Sequence, residues 1–317
     1  MSELNIRQFS HWLRERRGRN GKLLKAGSFN SILNKCAVFC IWCGKWEINR
    51  PYGRNSSLIN QTADLQISKA WKAKRVRVRV KKLAPDLDES EIIAIEQYLK
   101  QEVVIKRGEN LDVVFRNYLI WRLAIEMGLR ISEILALRLQ DCPQYGKNYI
   151  SIIRIDERGS DYIDPRGVYA PRPKTLSRDL GFIIEDSPLP RLIQKYISKH
   201  RYRKKQCGGK QFLLEHDFLI LAKNTGSPLA IFSAESIAKK IAKNSSVSGY
   251  HWHIARHAFF NRTYSAVALN QSHVNDLVYY GGWSDPKSLK IYAQSAIRTR
   301  SIKALAIWQG NQWEALN

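Results

Sequence analysis

Apolar positions along this chain recur mostly at helical spacing, and the pattern divides it into a short helical region and a longer, mixed one. Near the start, Ile6, Phe9, Trp12 and Leu13 form one apolar face. A second helix, capped by Ser28, is predicted through Ile32, Leu33, Cys36, Phe39, Cys40 and Cys43, with Asn30, Asn34 and Lys35 on its polar side. Gly44 and Pro51 break that pattern, and a third helix is predicted over 58–68. Trp42, Trp46 and Trp71 read as core aromatics and not as platforms for stacked bases. The period then changes. Lys69, Lys72, Lys74, Arg75, Arg77, Arg79, Lys81 and Lys82 crowd one stretch, and from Arg75 onward basic residues alternate with Val76, Val78 and Val80. Alternation of that kind predicts an extended segment with one basic edge. Ala84-Pro85 marks a boundary, so 1–84 reads as one domain whose end, 69–84, is a basic linker, and 85–317 reads as a second.

Asp88 and Glu91 have the spacing of a capping box that opens a helix through Ile92, Ile93, Ile95 and Leu99. A long helix is predicted over 110–127 and ended by Gly128, with a new one whose Ile134, Leu135 and Leu137 face the core. Residues 149–184 read as strands: 149–155 first, then 168–170 pairing with 180–184 around Lys174. Further helices are predicted over 189–200 and 233–243, the latter with Ile237 and Ile241 inward and Lys239, Lys240 and Lys243 outward. The tail, 297–317, is amphipathic through Ile302, Leu305 and Trp308. The fold class expected is mainly α with a small β-sheet.

Composition sharpens the choice of partner. The chain has 317 residues, 44% of them hydrophobic, which is ordinary for a folded protein of two domains. Its formal charge is +24, from 52 Lys+Arg against 28 Asp+Glu, an electrostatic footprint for a polyanion. Nucleic acid is the expected partner, ahead of a membrane surface. The N-terminus is polar and no apolar run approaches the length of a spanning helix, so the expected location is cytoplasmic, at the nucleoid. The five cysteines, Cys36, Cys40, Cys43, Cys142 and Cys207, are odd in number and uneven in spacing, which does not fit a disulfide framework. Cys36, Cys40 and Cys43 lie at helical spacing with no fourth ligand in view, so they read as core residues; no metal and no cofactor are expected.

Chemistry concentrates late in the chain, in His253-Ile254-Ala255-Arg256-His257, then Gly281-Gly282-Trp283, then Tyr292. Upstream stands Gly128-Leu129-Arg130-Ile131-Ser132-Glu133, and between them Lys174. Two arginines, a histidine, a lysine and a tyrosine are what a phosphodiester needs if it is to be cut without a metal. Arg130 and Arg256 can neutralise charge growing on the non-bridging oxygens. Tyr292 can attack as an oxygen nucleophile, and His253 and Lys174 can move protons. Trp283 can donate its indole N–H to a phosphate oxygen and pack against the site.

This constellation resembles the tyrosine site-specific recombinases and phage-type integrases. Gly-Leu-Arg-Ile-Ser-Glu is similar to that family's first-arginine motif, with Arg130 in the catalytic position, and His-x-x-Arg-His to its second, with His253 and Arg256. Trp283 stands where the family carries histidine or tryptophan, nine positions ahead of Tyr292, which matches the family's step to its nucleophile. Lys174, in Lys-Thr ahead of Ser-Arg, resembles the family's catalytic lysine in a hairpin. Tyr279 and Tyr280 are rivals for the nucleophile but precede Trp283, the wrong order for the family. The resemblance covers about 87–300. It implies a helical core-binding domain and a catalytic domain that grip double-stranded DNA, and a 3′-phosphotyrosine intermediate formed without a cofactor. It also implies a tetramer on two duplexes, with itself or with a partner recombinase, in which the tail docks on a neighbour or on its own domain. Integration of a mobile element is the expected setting. Phosphate contacts are expected from the basic linker and from Arg172 and Arg178 beside the lysine. His257 and Glu133 are expected to support the fold. The interval from Arg256 to Trp283, 27 residues, is longer than the family leads one to expect, and the excess is placed in a loop near 269–273. Two other readings use the same residues: a type IB-like topoisomerase, and a DNA-binding protein of this fold that is catalytically silent.

Overall fold

A computed structural model describes residues 3–17, 21–48, 57–77, 86–143, 148–159, 162–173, 175–181, 187–201, 204–207, 210–223, 225–267 and 271–314. The chain divides into two compact units, Met1–Lys82 and Leu83–Asn317. The fold is mainly helical, as the periodicity predicts, and the described residues hold two small antiparallel sheets of two strands each.

The first unit holds α1 (Glu3–Glu15), α2 (Ala26–Ile48) and α3 (Ser57–Ala73). They close around Ile6, Leu13, Phe29, Leu33 and Trp71, with Phe9 edge-on to Trp71 at 5.8 Å. Several expectations need correction here. Trp12 is 51% exposed, because the buried face of α1 runs 6, 9, 10, 13 and turns Ser10 inward in its place. Phe39 and Trp42 are also exposed; they stack on each other at 6.0 Å on the solvent side of α2. Cys36, Cys40 and Cys43 are half-buried, Cys36 and Cys40 packing against the edge of this core, and only Cys142 of the described cysteines is fully buried. Ser28 lies inside α2 instead of capping it, and α2 passes through Gly44. One helical glycine costs about 1 kcal/mol, too little to end a helix that packs elsewhere.

The basic stretch also differs from its predicted form. Helix α3 continues to Ala73, so exposed Lys69 and Lys72 are helical. The chain then turns at Lys74 and passes alongside α2. There the Asn30 carboxamide donates to the Val76 carbonyl at 2.8 Å and accepts from its N–H at 3.0 Å, and Arg75 donates to Asn34. One side chain thus bonds both polar groups of Val76, as a neighbouring strand does. Arg79, Lys81 and Lys82 lie outside the described residues.

The second unit opens as predicted. Asp88 caps α4 (Glu89–Ile105) in a reciprocal box: the Glu91 N–H donates to Asp88 Oδ1 at 2.8 Å and the Asp88 N–H to Glu91 Oε2 at 3.0 Å. Helix α5 (Gly108–Glu126) buries Phe115, Leu119, Ile120, Trp121 and Leu123 against α4 and the later helices. Gly128, at φ +61°, turns the chain, and α6 (Ile131–Ala136) follows at once with Arg130 at its mouth.

The β-structure departs from expectation. β1 (Tyr149–Ile152) pairs antiparallel with β2 (Arg178–Gly181), from Tyr149 opposite Gly181 to Ile152 opposite Arg178. Residues 168–170 do not pair with Leu180 and Gly181, the described part of the expected partner: Gly167–Tyr169 is a 3₁₀ turn. Pro165, Pro171 and Pro173 bracket it, and proline supplies no N–H to a ladder. The long connection between β1 and β2 is braced from inside. Arg158 pairs with Asp141 and Arg166 with Asp164, and Arg166 Nη1 also donates to the Leu135 and Leu229 carbonyls, both at 3.0 Å. Its rim leaves Ile163, Val168 and Tyr169 exposed.

After α7 (Pro188–Lys195) come β3 (Lys204–Cys207) and β4 (Lys210–Leu213), paired with each other, and α8 (Ile231–Asn244), whose Ile241 is buried and whose Lys239, Lys240 and Lys243 are exposed. Arg201, although it stands in a basic stretch with Lys199, Arg203, Lys204 and Lys205, is buried, and its guanidinium donates to the Phe218 carbonyl. The unit ends with α9 (Trp252–Val267), α10 (Gln271–Tyr280), α11 (Lys287–Tyr292) and α12 (Gln294–Glu314). Residues 271–273, assigned above to an enlarged loop, form the first turn of α10; 268–270 lie outside the described residues. Among the described residues no helix is long and apolar enough to cross a membrane.

Gly128 meets two demands together: a left-handed φ, and a backbone pressed onto the Phe259 ring where a Cβ has no room. Gly128→Ala is therefore expected to destabilise the second unit by roughly 2–4 kcal/mol, from left-handed strain plus overpacking, read as a lower denaturant midpoint in chemical unfolding.

Candidate active site

Four separated segments meet at the end of α11. On α9, His253, Arg256, His257 and Phe260 fall at i, i+3, i+4 and i+7, one face of the helix. That face packs toward α11 and the Gly281-Gly282-Trp283 turn. Tyr292 is mostly buried there. Its ring stacks on His257 at 4.5 Å and 28°, and lies 5.0 Å from Trp283 and 5.3 Å from His253. Its hydroxyl accepts from Arg130 Nη2 at 3.5 Å and sits 3.3 Å from His253 Nε2. Five of the six residues singled out from sequence as catalytic, Arg130, His253, Arg256, Trp283 and Tyr292, thus converge. Lys174 lies outside the described residues.

The arginines differ in exposure. The Arg130 side chain keeps 20% of its surface open, whereas Arg256 is 0% exposed. Arg256 donates through Nη1 to the Gly128 carbonyl at 2.5 Å and through Nη2 to the Gly281 carbonyl at 2.9 Å. Its guanidinium lies 4.7 Å from the Phe260 ring centre, 4.9 Å from that of Trp283 and 5.2 Å from that of Tyr292. It is the floor of the site, beneath three rings that favour a cation over their faces.

One carboxylate holds the positive charges together. Glu133, 1% exposed, lies 3.5 Å from Arg130 Nη1, 3.2 Å from Arg178 Nη2 and 3.6 Å from Arg256 Nη1. It also accepts from the Thr175 hydroxyl at 2.5 Å and from the Arg130 N–H at 2.7 Å. Burial raises its pKa, but Arg178, Arg256 and Arg130 together more than reverse this, and the carboxyl lies below its ordinary value. Nearby, Arg130 Nη1, Arg256 Nε and His257 Nδ1 are buried without a hydrogen-bond partner. An unsatisfied buried donor costs about 1–3 kcal/mol, so the site is poised for an anion whose oxygens accept such bonds.

The residues expected to bind phosphate beside Lys174 separate. Arg172 is exposed. Arg178 is not: at 5% exposure, its three nitrogens donate to the Tyr280 carbonyl at 2.6 Å, the Leu176 carbonyl at 3.2 Å and Glu133. Its place on β2 turns it inward, opposite to its exposed neighbour Asp179. Thr175 and Phe260 belong to the site and were not singled out from sequence. A signal existed in the glycine pair: Gly281 leaves space for the Trp283 ring, and a Cβ on Gly282 would stand 2.6 Å from Arg178 Nη1 and 2.8 Å from Thr175 Cβ. Among the described residues no cluster of His, Cys, Asp and Glu could hold a metal ion.

The phage integrase family model matches residues 85–298. The chain belongs to the phage integrase family. These tyrosine recombinases are DNA strand-transferring enzymes, and the match spans every residue of the constellation. The fold is similar to that of the Tn1549 transposon integrase solved in complex with circular intermediate DNA, with 17% identity, TM-score 0.56, and coverage of 95% of this chain and 85% of that one. It is also similar to a lambda integrase dimer bound to a COC′ core site, with 13% identity, TM-score 0.50, and coverage of 92% of this chain and 64% of that one. No curated protein sequence matches the chain.

The family's two motif histidines share an electrostatic setting. Burial, then His257, Arg256 and Arg130, depress the His253 pKa to about 4, although the residue as a whole is exposed to solvent. His257, enclosed, is also depressed to about 4 by burial, opposed by a hydrogen bond with the Tyr292 backbone and reinforced by Arg256. Both rings are neutral at pH 7. A histidine whose folded pKa lies below its unfolded 6.5 takes up its proton first in the unfolded state, so it removes stability as pH falls through the window between the two values. The melting temperature is thus expected to drop between pH 6.5 and 5, above the range of ordinary carboxyl titration, and the slope to flatten in His257→Asn; differential scanning fluorimetry across that window checks it.

Proposed function

We propose that this integrase-family chain is a site-specific DNA recombinase that cuts and rejoins DNA through a covalent bond to Tyr292, on behalf of a mobile element. The observation that carries the reading is the Tyr292 hydroxyl held between Arg130 and His253, with unsatisfied arginine donors beside it. In the first step Tyr292 gives its proton to the neutral Nε2 of His253, and the phenolic oxygen attacks phosphorus. The bond from phosphorus to the 5′-oxygen breaks, and that oxygen takes a proton from Lys174. The products are a 3′-phosphotyrosine and a free 5′-hydroxyl. A 5′-hydroxyl from another strand reverses the step, so the energy of the broken bond is retained and no nucleotide cofactor is consumed.

Arg130 and Arg256 neutralise the non-bridging oxygens in this scheme. Arg256 lies below the Tyr292 ring, so the ring moves outward as a phosphate reaches it. The arriving negative charge also offsets the cations that depress His253 and brings it closer to a useful base. Trp283 packs the nucleophile and donates its indole N–H. Lys69, Lys72, Lys74, Arg75 and Arg77, with Arg79, Lys81, Lys82 and Arg172, supply phosphate contacts that add affinity without sequence choice. We further propose a tetramer on two duplexes. Ile302 and Leu305, one turn apart on α12, are exposed, as is Ile307 on another side of the helix, apolar surface suited to a neighbouring protomer.

The test is covalent trapping. Purified protein mixed with fragments of its source DNA, in chelator, and quenched in detergent is expected to yield a band carrying both protein and DNA. Tyr292→Phe is expected to bind DNA and melt within a few degrees of the unaltered protein, because the lost hydroxyl contacts are long, yet to give no such band. An adduct that persists in Tyr292→Phe overturns the assignment of the nucleophile.

A further inference from the structure

The carboxylate of Glu133 faces three guanidinium groups, but only Arg130 and Arg256 have roles at the phosphate in the scheme above. Arg178 is the third, and it reaches Glu133 from a different element. Its Nε donates to the Tyr280 carbonyl at 2.6 Å, its Nη1 to the Leu176 carbonyl at 3.2 Å and its Nη2 to Glu133 at 3.2 Å. It therefore ties β2 to the end of α10 and to the floor of the site. Thr175 reinforces the link, since its hydroxyl donates to the same Glu133 oxygen, Oε1, and the next N–H, that of Leu176, donates to the Gly282 carbonyl at 3.1 Å. The other oxygen of Glu133, Oε2, is left for the Arg130 N–H and for Arg256. The Arg130 Nη1 lies 3.5 Å from Oε1, the oxygen that Thr175 and Arg178 hold, so the segment before and into β2 fixes a carboxylate whose two oxygens face both phosphate-binding arginines. Gly282 completes the arrangement, because any side chain there would displace the Arg178 guanidinium and Thr175 together.

We infer that Arg178 and Thr175 are positioning residues for strand transfer: by fixing Glu133 they set where Arg130 and Arg256 stand, and neither touches DNA. This rests on the recombinase reading. Arg178→Lys keeps the charge but cannot serve three acceptors in a fork. Thr175→Val keeps the volume, loses the hydroxyl, and tests the same link with little risk to folding.

The experiment uses the full chain and a duplex carrying the sequence recovered from the covalent adduct of the unaltered protein; if that protein forms no adduct, the recombinase reading fails first. DNA affinity is measured at several salt concentrations, adduct formation in single turnover, and melting for each variant. The expected result is a rate constant lowered at least tenfold in Arg178→Lys and several-fold in Thr175→Val, with affinity, its salt dependence and the final adduct yield unchanged. A drop in affinity with a salt slope shallower by about one makes Arg178 a phosphate contact and overturns the inference. A lower melting temperature and yield with an unchanged rate constant makes it structural, and also overturns it; should Arg178→Lys not fold, Thr175→Val decides. A duplex with sulfur in place of the scissile 5′-oxygen separates routes, since a thiolate leaves without a proton. A defect that persists on it supports the path through Glu133, and one that vanishes shows action on the leaving group instead, contrary to the inference.

Discussion

The site depends on one electrostatic constraint: three arginines cannot share a dry space unless something negative is buried with them. Glu133 is that group. Isolated, a buried carboxylate or guanidinium is strongly disfavoured, and mutual repulsion among the cations adds to the cost. Together they leave a net positive charge, surrounded by aromatic rings, with donors still unsatisfied. Arg256 remains a cation at neutral pH even though burial brings its pKa down to about 10 against the pull of Glu133. What results is a preorganised receptor for an anion, and it is the reason that a helix junction, a helix face, a glycine turn and a short strand have to meet where they do.

This arrangement explains why backbone carbonyls matter as much as side chains. Gly128, Gly281 and Tyr280 all turn carbonyls toward the arginines, and two of these are glycines because a Cβ would strike the Phe259 ring at Gly128 and the Trp283 ring at Gly281. The tyrosine is supplied by the same chain that supplies the arginines, and its ring is held by stacking with His257 and Trp283. The geometry links packing to chemistry directly: the contacts that bury the phenol ring also set the direction of its hydroxyl.

The sequence made the centre of this molecule legible because local rules and chemistry agreed there. The Asp88–Glu91 box, the Gly128 turn and the new helix that starts just beyond it were each readable from spacing, and His253, Arg256, Trp283 and Tyr292 from their motifs. What was hidden depended on long-range packing. Nothing local says that the face of α1 takes Ser10 and leaves out Trp12, or that Phe39 and Trp42 lie on the open side of α2. The partner of β2 could not be read either, because β1 lies across a long connection and the nearer segment, 168–170, looked apolar enough to pair. Arg178 was misplaced for a related reason. A basic residue beside a catalytic lysine looks like a phosphate contact until the register of β2 against β1 turns it inward.

The connection between β1 and β2 carries a further meaning. Its ends are held as opposing residues, Ile152 across from Arg178, and the Arg154 N–H donates to Ser177 Oγ at 2.8 Å just inside them. With the two ends pinned, the entropy of closing the loop grows only with the logarithm of its length. Insertions and deletions in the exposed turn Gly167–Tyr169 can thus accumulate without displacing Arg178 or the carboxylate it holds, while Arg158 and Arg166 keep the braced part in place. The enzyme has a stretch in which lineages can diverge in length and surface while the reaction chemistry stays put.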